Sequence, residues 1–350
     1  MHAETAVRAW PPVSVVMPVL DEERHLRAAV SRVLSQSYPG EVEVVLALGP
    51  SRDRTEEIAR ELARADPRVR LVSNPSGRTP AGLNAALAMA RHGIVARLDG
   101  HALPPPDYLQ TAVDLLAETG ADNVGGVMAA VGETPFEQAV ARAMRSRVGV
   151  GNAAFHTGGT AGPAQSVYLG VFRREMLERL GGYDETFARA QDWELNYRIR
   201  QAGGLVWFSP RLEVCYRPRS SLRALASQYL HYGRWRRAIS RRHPGSISLR
   251  YLAPPAALAT VVGGTLLAAL GKPVGLVLPS GYAVAVVLGA VWTGRGLPPG
   301  AQVRLPLVYA TMHLAWATGF LTSPAGLTAA APPTPVPGAV YAVDEFPSSP

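Results

Sequence analysis

The stretch that sets the fold covers residues 13–100, where four short apolar runs alternate with amphipathic segments. The runs are VSVVMPV at 13–19, VEVVLAL at 42–48, VRLVS at 69–73 and GIVARLDG at 93–100, with helices predicted over 28–34, 58–63 and 81–90. Repeated strand–helix pairs predict an α/β, Rossmann-like, mostly parallel sheet flanked by helices. Because right-handed crossovers bring the carboxyl ends of such strands to one edge, we look for functional residues just after each strand.

The pattern is less regular beyond residue 106. A helix over 108–118 and a strand over 124–129 precede a Gly-rich stretch at 149–162, which fits either a mobile substrate lid or a solvent loop without a role. The later predicted elements are a strand and helix in VYLGVFRREMLERLGGYDE, a helix in AQDWELNYRIRQAGG, and two strands, VWFSP and LEVCYRP.

Composition excludes several classes of protein. With 47% apolar and 18% charged residues in 350, the chain is too apolar for a disordered protein. The single cysteine, Cys215, forms no internal disulfide and no cysteine metal cluster, which agrees with a cytosolic or cytosol-facing protein. The net charge is +8, but the first 200 residues mix basic and acidic side chains instead of forming a basic patch with interleaved aromatic residues, so we expect no nucleic-acid partner.

The last 100 residues differ from the rest because they carry almost no charge. Uncharged runs at 251–271, 273–294 and 305–323 are each near the roughly 20 residues that cross a bilayer, and they predict three transmembrane helices. The alternative is a second domain with core helices, although a polar face at helical spacing is missing. Arginines crowd the segment before the first run, so the positive-inside rule predicts a multi-pass protein of the cytoplasmic membrane whose catalytic domain faces the cytosol.

Five segments are therefore predicted. They are an N-terminal tail at 1–12, a catalytic domain at 13–219, an interfacial, amphipathic, Arg-rich helical region at 220–250, the three transmembrane helices within 251–323, and a Pro/Ala-rich tail at 324–350. The N-terminal tail lacks the apolar core of a secretion signal.

Asp99 and His101 follow an apolar strand and are separated by Gly100. In an extended segment, side chains two residues apart point the same way, so this pair predicts a two-ligand metal site with open positions for a diphosphate. A turn aspartate beside a surface histidine is the alternative.

Asp192 starts a predicted helix, with Glu194 two residues further on. A carboxylate at a rigid helix start is a candidate general base for an attacking hydroxyl. An N-cap that accepts from the free backbone amides is the alternative, and the local sequence does not separate the two.

Several motifs in order over 13–242 give the chain a resemblance to family 2 glycosyltransferases of the GT-A fold, nearest to the succinoglycan-type membrane glucosyltransferases. They are VSVVMPVLDEE, GPSRDRT, GRTPAGLNAAL, RLDGHALPPPDYL, the segment GVFRREMLERLGGYDETFARAQDWELNYRIRQAGG, and QYLHYGRWRR. Three positions depart from the family pattern: Leu48 and Gly49 replace two acids that precede Ser51, which puts the usual contact to uracil in doubt; His101 replaces the second Asp of Asp-x-Asp; and Gln191 replaces the acid before Asp192.

The resemblance also implies site residues. It implies that Pro18, Glu22, Arg78 and Asp99 contact the nucleotide sugar, that Asp99 and His101 hold a divalent metal, that Asp192 is the catalytic base, and that Asn84 holds its helix in place. Because imidazole is a softer ligand than carboxylate, we expect Mn²⁺ to be preferred to Mg²⁺.

Gln228, Arg234 and Trp235 match the family's Gln-x-x-Arg-Trp segment with stretched spacing, which implies that they line an acceptor channel. An interfacial helix, with arginines at anionic headgroups, is the other interpretation, and both can hold.

The resemblance implies an inverting transferase that moves a sugar from a nucleotide-diphosphate sugar to a hydroxyl of a membrane-associated, lipid-linked acceptor in polysaccharide or glycolipid biosynthesis. The alternatives are a polyprenyl-phosphate glycosyl synthase and a catalytically silent membrane scaffold.

Overall fold

The computed structural model describes residues 9–328, so most of the predicted N-terminal tail, and the C-terminal tail from residue 329, lie outside the described residues. The strands are β1 Val13–Val19, β2 Val42–Leu48, β3 Val69–Ser73, β4 Ile94–Arg97, β5 Asn123–Ala130, β6 Gly162–Pro163, β7 Tyr168–Arg173 and β8 Val206–Tyr216. The helices are α1 Leu26–Leu34, α2 Thr55–Ala65, α3 Thr79–Met89, α4 Tyr108–Thr119, α5 Pro135–Met144, α6 Arg147–Val150, α7 Ala154–Thr157, α8 Arg174–Arg179, α9 Gln191–Gln201, α10 Leu222–Arg242, α11 Ala253–Ala269, α12 Val277–Thr293, α13 Pro299–Gln302 and α14 Leu305–Leu321.

The eight strands form one sheet in the order β3-β2-β1-β4-β7-β5-β8-β6. β1 pairs in parallel with β2 and β4, and β2 with β3, as the alternating pattern predicts. β7 is antiparallel to both β4 and β5, and β6 is antiparallel to β8. The predicted α/β class is confirmed, with a sheet that is mixed beyond β4.

The prediction of two strands in VWFSP and LEVCYRP is wrong, because residues 206–216 form the single strand β8. Pro210 lies within it and is exposed. A proline is tolerated in a strand where its missing N–H is not needed for pairing, so Pro210 does not end the strand as the sequence suggested.

The chain divides into two compact units. Within the described residues, the first comprises 9–127 and 160–214, and the second comprises 128–159 and 215–328. The core of the first unit is built from the apolar faces of β1 and β2 with α1 and α4; Val15, Val44 and Leu46 are fully buried in it. Both sheet faces are covered, which explains why these strands are apolar at consecutive positions.

The second unit contains the apolar C-terminal helices. Among the residues that the structure describes, two helical segments are long and apolar enough to cross a membrane, Leu249–Ala269 and Pro273–Thr293. They correspond to the first two predicted spans. The third predicted span is helical as α14, which is 17 residues long and packs along α10. The total number of spans therefore stays a prediction.

Contact between α10 and α14 is close because both contribute a glycine. A β-carbon added at Gly233 would lie 2.0 Å from the Trp316 carbonyl oxygen, and one at Gly319 would lie 1.9 Å from that of Leu230. The two backbones therefore approach nearer than any larger residue would allow.

The Gly-rich stretch contains the short helices α6 and α7 and three glycines with positive φ, Gly151, Gly158 and Gly159. Whether it acts as a lid or as a solvent loop stays open.

Candidate active site

Arg97 is the last residue of β4, and its side chain is only 7% exposed. One guanidinium nitrogen, Nη2, donates to Asp99 Oδ1 at 2.8 Å, and the other, Nη1, forms an ion pair with Asp192 Oδ2. A single buried cation therefore joins the carboxyl end of a strand to the first turn of α9. Arginine suits this place because its planar fork serves two carboxylates at once.

The structure separates the two interpretations of Asp192. α9 begins at Gln191, its N-cap is Ala190 with φ of +60°, and no side chain in residues 9–328 caps the helix. Asp192 is thus the second residue of the helix, and its carboxylate pairs with Arg97. The N-cap alternative is wrong.

The side chain of Asp192 is 35% exposed. Burial raises the pKa of this carboxyl above its ordinary value; the Arg97 guanidinium counteracts the rise, and the neighbouring charge of Asp99 adds to it. A carboxylate whose pKa is raised towards the working pH is a better proton acceptor than an ordinary surface aspartate. The arrangement fits a general base held in one orientation.

Asp99 and His101 lie on a turn, with the Ala102 N–H donating to the Asp99 carbonyl at 2.9 Å. The strand has already ended at Arg97, so the premise that side chains alternate along an extended segment here is wrong. Gly100 lies so close to the β1 loop that a β-carbon on it would be 2.9 Å from Val19 Cγ1 and 3.1 Å from Glu22 Cγ.

Glu22 contacts the turn directly, because its Oε1 lies 2.7 Å from His101 Nδ1. A metal-binding histidine usually donates its second ring N–H to a carboxylate, which fixes the ring and leaves Nε2 as the ligand atom. Glu22 lies where such a partner would lie, and its contact with a nucleotide stays a prediction. In the described residues, no group of three or more His, Cys, Asp or Glu side chains could hold a metal ion.

Asp99 and His101 are two candidate ligands for a divalent cation, because one offers a carboxylate oxygen and the other an imidazole nitrogen. The preference for Mn²⁺ over Mg²⁺ stays a prediction. Two protein ligands leave the remaining positions to a diphosphate and water.

The acidic run after β1 has a structural role that the sequence did not suggest. Asp21 Oδ1 accepts from the Arg52 N–H at 2.8 Å, and Asp53 Oδ2 accepts from the Glu23 N–H at 3.1 Å. Glu22 N–H in turn donates to Thr55 Oγ1 at 2.7 Å. These bonds join the loops that follow β1 and β2 and fix the backbone from which Glu22 reaches His101.

The other predicted residues of the first unit occupy different places. Pro18 is in β1, and its Cβ would lie 3.2 Å from a β-carbon on Gly82. Arg78 is the residue just before α3, and its backbone carbonyl accepts from Asn74 Nδ2 at 3.1 Å. Contact of either with a nucleotide stays a prediction.

Asn84 was expected to hold its helix in place, and in the structure its side chain links α3 to the loop at Tyr183. Its Nδ2 donates to the Tyr183 carbonyl at 2.8 Å, and its Oδ1 accepts from the Tyr183 N–H at the same distance. It fixes the loop that leads to α9.

The acceptor-channel candidates lie in the second unit. Gln228 is buried and donates to the hydroxyls of Tyr216 and Tyr232, each at 2.9 Å. Trp235 is also buried, and the Arg234 carbonyl accepts from Ser323 Oγ at 2.9 Å. Their acceptor role stays a prediction.

Several arginines of α10 contact protein groups. Arg236 donates to the Ser246 carbonyl and lies 4.0 Å over the Tyr251 ring, while Arg241 donates to the Ser323 carbonyl at 3.0 Å. These contacts tie α10 to the segments that follow it and to the end of α14. The interfacial role of residues 220–250 stays a prediction.

Sequence reasoning missed Arg97 and Tyr183. A signal existed for the first, since Arg97 is a charged residue in an otherwise apolar strand, where only a specific partner explains burial. Tyr183 carries a buried hydroxyl in electrostatic range of Asp192, Arg97 and Asp99. No local pattern reveals that neighbourhood.

Residues 14–181 match the model of the family described as Glycosyl transferase family 2. The Succinoglycan biosynthesis protein ExoA of Rhizobium meliloti (strain 1021) is 35% identical over 309 residues, which are 87% of this chain and 93% of that protein. The chain belongs to glycosyl transferase family 2, and the predicted resemblance to the succinoglycan type is confirmed.

Two other likenesses are weaker. A dolichyl N-acetyl-alpha-D-glucosaminyl phosphate 3-beta-D-2,3-diacetamido-2,3-dideoxy-beta-D-glucuronosyltransferase of Methanococcus voltae is 22% identical over 230 residues, 63% of this chain and 71% of that protein. The structure of the mannosyltransferase PcManGT from Pyrobaculum calidifontis in complex with GDP-Man and Mn²⁺ has a TM-score of 0.56 at 22% identity, and covers 90% of this chain and 88% of that one. This likeness confirms the GT-A fold.

Proposed function

We propose that the protein is an inverting, metal-dependent hexosyltransferase that moves a sugar from a nucleotide-diphosphate sugar to a hydroxyl of a membrane-associated, lipid-linked acceptor in polysaccharide or glycolipid biosynthesis. The observation that carries the proposal is the buried Arg97 that joins Asp99 and Asp192. Its two terminal nitrogens bind two carboxylates, Asp99, which is a candidate metal ligand, and Asp192, which lies in the first turn of α9. Two carboxylates held by one cation suit a reaction in which Asp99 serves the leaving group and Asp192 the attacking group.

Asp192 is the base. The acceptor oxygen forms a bond to the anomeric carbon while its proton passes to the Asp192 carboxylate, and the bond from that carbon to the diphosphate oxygen breaks with its electrons on the diphosphate. A single direct displacement inverts the configuration at the anomeric carbon. Arg97 keeps the Asp192 carboxylate ionised and turned towards one side, since an opposite charge favours the ionised form. Positioning of both substrates is worth up to roughly 7–11 kcal/mol in favourable systems.

Asp99 and His101 would hold the divalent metal, with Glu22 fixing the His101 ring. When bound, the metal supplies charge neutralisation for the leaving diphosphate. The choice of a metal is supported by the donor chemistry of this turn, and the mannosyltransferase that shares the fold was crystallised with Mn²⁺ and GDP-Man. The polysaccharide context is supported by the 35% identical relative, whose name gives succinoglycan biosynthesis.

A membrane-held acceptor is supported by apolar side chains exposed on α11 and α12. Leu266 is 58% exposed and Val291 is 66% exposed, which is costly in water and favourable in lipid. We infer from the arginines before α11 that the catalytic unit faces the cytosol.

A screen of UDP- and GDP-sugars with and without Mn²⁺ tests donor and metal together, with the unfolding temperature as the measurement. We expect one class of nucleotide sugar to stabilise the protein only when Mn²⁺ is present. Failure of every nucleotide sugar to bind would select the silent scaffold. Transfer to a polyprenyl phosphate that continues in an Asp192→Asn variant would select the lipid-phosphate synthase, because that acceptor is already an anion.

A further inference from the structure

A cavity of about 300 Å³ lies at the C-terminal end of α12, within the second unit. The proposed sugar transfer does not use it. Its lining combines apolar side chains with one guanidinium and one amide, and consists of Ala290, Val291, Gly294, Arg295, Gln302 and Pro306. Such a lining suits a ligand that has both an apolar part and a negatively charged part.

The cavity lies where the predicted span ends. The candidate span Pro273–Thr293 stops two residues before Arg295. Val291, in the last turn of the span, is 66% exposed, and the next residue, Trp292, is 63% exposed. Tryptophan is enriched at the depth of lipid headgroups, and basic residues just beyond a span meet the anionic surface of the bilayer. We therefore expect the cavity to open at the boundary between acyl chains and headgroups.

Hydrogen bonds fix the backbone around the cavity and use its carbonyl oxygens. Gln302 Nε2 donates to the Gly294 carbonyl at 3.1 Å. Arg142, in α5, donates to the Thr293 carbonyl at 2.5 Å and to the Arg295 carbonyl at 3.2 Å. Free carbonyls at the C-terminal end of a helix carry partial negative charge and repel an anion. Here Gln302 and Arg142 bind those carbonyls, so the repulsion is reduced.

The charge of the second unit is strongly positive. Within its described residues, only Glu133 and Glu137 are acidic. Glu133 lies 2.8 Å from Arg217, and Glu137 accepts from the Thr134 N–H at 3.0 Å, so both are engaged at the start of α5. The Arg295 side chain is exposed and forms no ion pair within residues 9–328. Its charge is therefore available to an anionic ligand.

We propose that this cavity binds one anionic phospholipid of the surrounding bilayer. The Arg295 guanidinium donates to an oxygen of the lipid phosphate, and an acyl chain lies against Val291 and the rest of the apolar lining. One arginine balances the single negative charge of a phosphodiester, whereas a lipid-linked diphosphate carries more charge than this lining offsets. The inference rests on the membrane association in the proposed function and not on the sugar transfer.

Native mass spectrometry of the full-length protein in detergent tests the choice of lipid. The probes are phosphatidylglycerol, phosphatidylcholine with the same chains, and undecaprenyl phosphate. We expect phosphatidylglycerol to bind about fivefold more tightly than phosphatidylcholine, the effect of one arginine near an anionic lipid. Inorganic phosphate should not compete, because it lacks the chain. Equal binding of the two phospholipids, tighter binding of undecaprenyl phosphate, or competition by inorganic phosphate would each overturn the inference.

Arg295→Gln and Arg304→Gln separate this cavity from the general attraction of a basic surface. Arg304 is an exposed arginine of the same loop, but it donates to the Gly300 carbonyl at 2.6 Å and does not line the cavity. We expect Arg295→Gln to lose about fivefold in phosphatidylglycerol affinity and Arg304→Gln to stay nearly unchanged. Equal losses in both variants would mean that no specific site exists.

The unfolding temperature in lipid-free detergent checks that the variants fold. Should Arg295→Gln unfold earlier than the wild type, Arg295→Lys is used instead, because it keeps the charge. Retention of the preference for phosphatidylglycerol in Arg295→Lys supports the inference, and its loss contradicts it.

Two further outcomes distinguish the inference from the proposed function. If the protein partitions into membranes and Arg295→Gln binds phosphatidylglycerol as the wild type does, the inference alone is wrong. If the wild type stays in the aqueous fraction and binds no lipid, the proposed membrane association fails and the inference fails with it.

Discussion

Arg97, at the end of β4, forms an ion pair with Asp192, in the first turn of α9. The pair connects two parts of the catalytic unit that are 95 residues apart in the chain and gives the candidate base a fixed partner. The same guanidinium bonds Asp99. A substitution at Arg97 is therefore expected to disturb both the candidate base, Asp192, and the candidate metal ligand, Asp99. A substitution at either carboxylate would disturb only one of them directly.

Arg97→Lys and Arg97→Gln are expected to lower kcat on the order of 10²-fold, since a small misplacement of catalytic groups costs that much. Lysine keeps the charge but is a point donor, so it cannot bond both carboxylates in a fork. We expect the unfolding free energy to fall by less than the roughly 3–5 kcal/mol of a fully buried broken pair, because Asp192 is 35% exposed. Steady-state kinetics and denaturant unfolding measure the two effects.

Arg70→Gln provides the control for Arg97. Arg70 pairs with the buried Glu43 at 3.1 Å and also donates to the Met89 carbonyl at 2.7 Å. The Arg70→Gln variant should have a lower free energy of unfolding but an unchanged kcat of the folded protein. Equal losses of kcat in both variants would show that Arg97 acts only through stability.

Asp192→Asn is expected to abolish transfer and to leave donor affinity nearly unchanged, because the amide keeps the shape and loses the proton acceptor. Calorimetric titration with the donor measures binding, and product formation measures transfer. Since burial raises the pKa of Asp192 above 3.8, the acidic limb of the wild-type kcat profile should lie above that value. Wild-type turnover by the variant would remove Asp192 as the base.

Glu22→Gln is expected to weaken Mn²⁺ binding about 10- to 100-fold, as loss of the partner of a metal-binding histidine does. Electron paramagnetic resonance of free Mn²⁺ measures this without turnover. Glu23→Gln is the matched control, because Glu23 Oε2 accepts from the Arg54 N–H at 3.1 Å and holds the loop.

In the same assay, His101→Asp should narrow the preference for Mn²⁺ over Mg²⁺. Equal activity of the wild type with both ions would contradict the predicted preference.

Glu43 is expected to make the free energy of unfolding depend on pH. Burial alone would raise the pKa of Glu43, but bonds from Ser14 Oγ, the Arg91 N–H and Arg70 hold it below the usual 4.5. A carboxyl whose pKa is lower in the folded state stabilises the protein above the unfolded value, and loses that contribution as pH falls through the folded value. Glu43→Gln should therefore cost about 1–3 kcal/mol at pH 7, and the difference from wild type should shrink below about pH 4.5. A difference that is constant from pH 7 to pH 3 would rule this out.

Gly233→Ala is expected to destabilise the pair of helices α10 and α14, because the added carbon would meet the Trp316 carbonyl at 2.0 Å. The better helix propensity of alanine, about 1 kcal/mol, does not offset a backbone clash that typically costs about 1–3 kcal/mol or more. Gly263→Ala, in α11, is the control, since no described residue apart from the backbone of its own helix lies within 4 Å of the added carbon. Unfolding in detergent should show a lower midpoint for the first and an equal or higher midpoint for the second.

The sequence by itself determined the strand–helix order, the carboxyl edge as the place of the candidate site, and the apolar C-terminal segments. These follow from local periodicity and from runs of apolar residues, which each segment carries on its own. It also placed Asp192 at a helix start and Asp99 beyond a strand, since both positions depend on neighbours in the chain.

Only the tertiary structure decided which of those groups meet. Arg97 bridges Asp99 and Asp192, and Asn84 fixes a loop 99 residues away, because β7 inserts antiparallel beside β4 and the chain after it returns to the carboxyl edge. Contacts between residues so far apart in the chain depend on strand order and on a shared core, and the local sequence pattern does not reveal them. For the same reason, the turn at Asp99, the bond between His101 and Glu22 and the burial of Tyr183 became visible only in three dimensions.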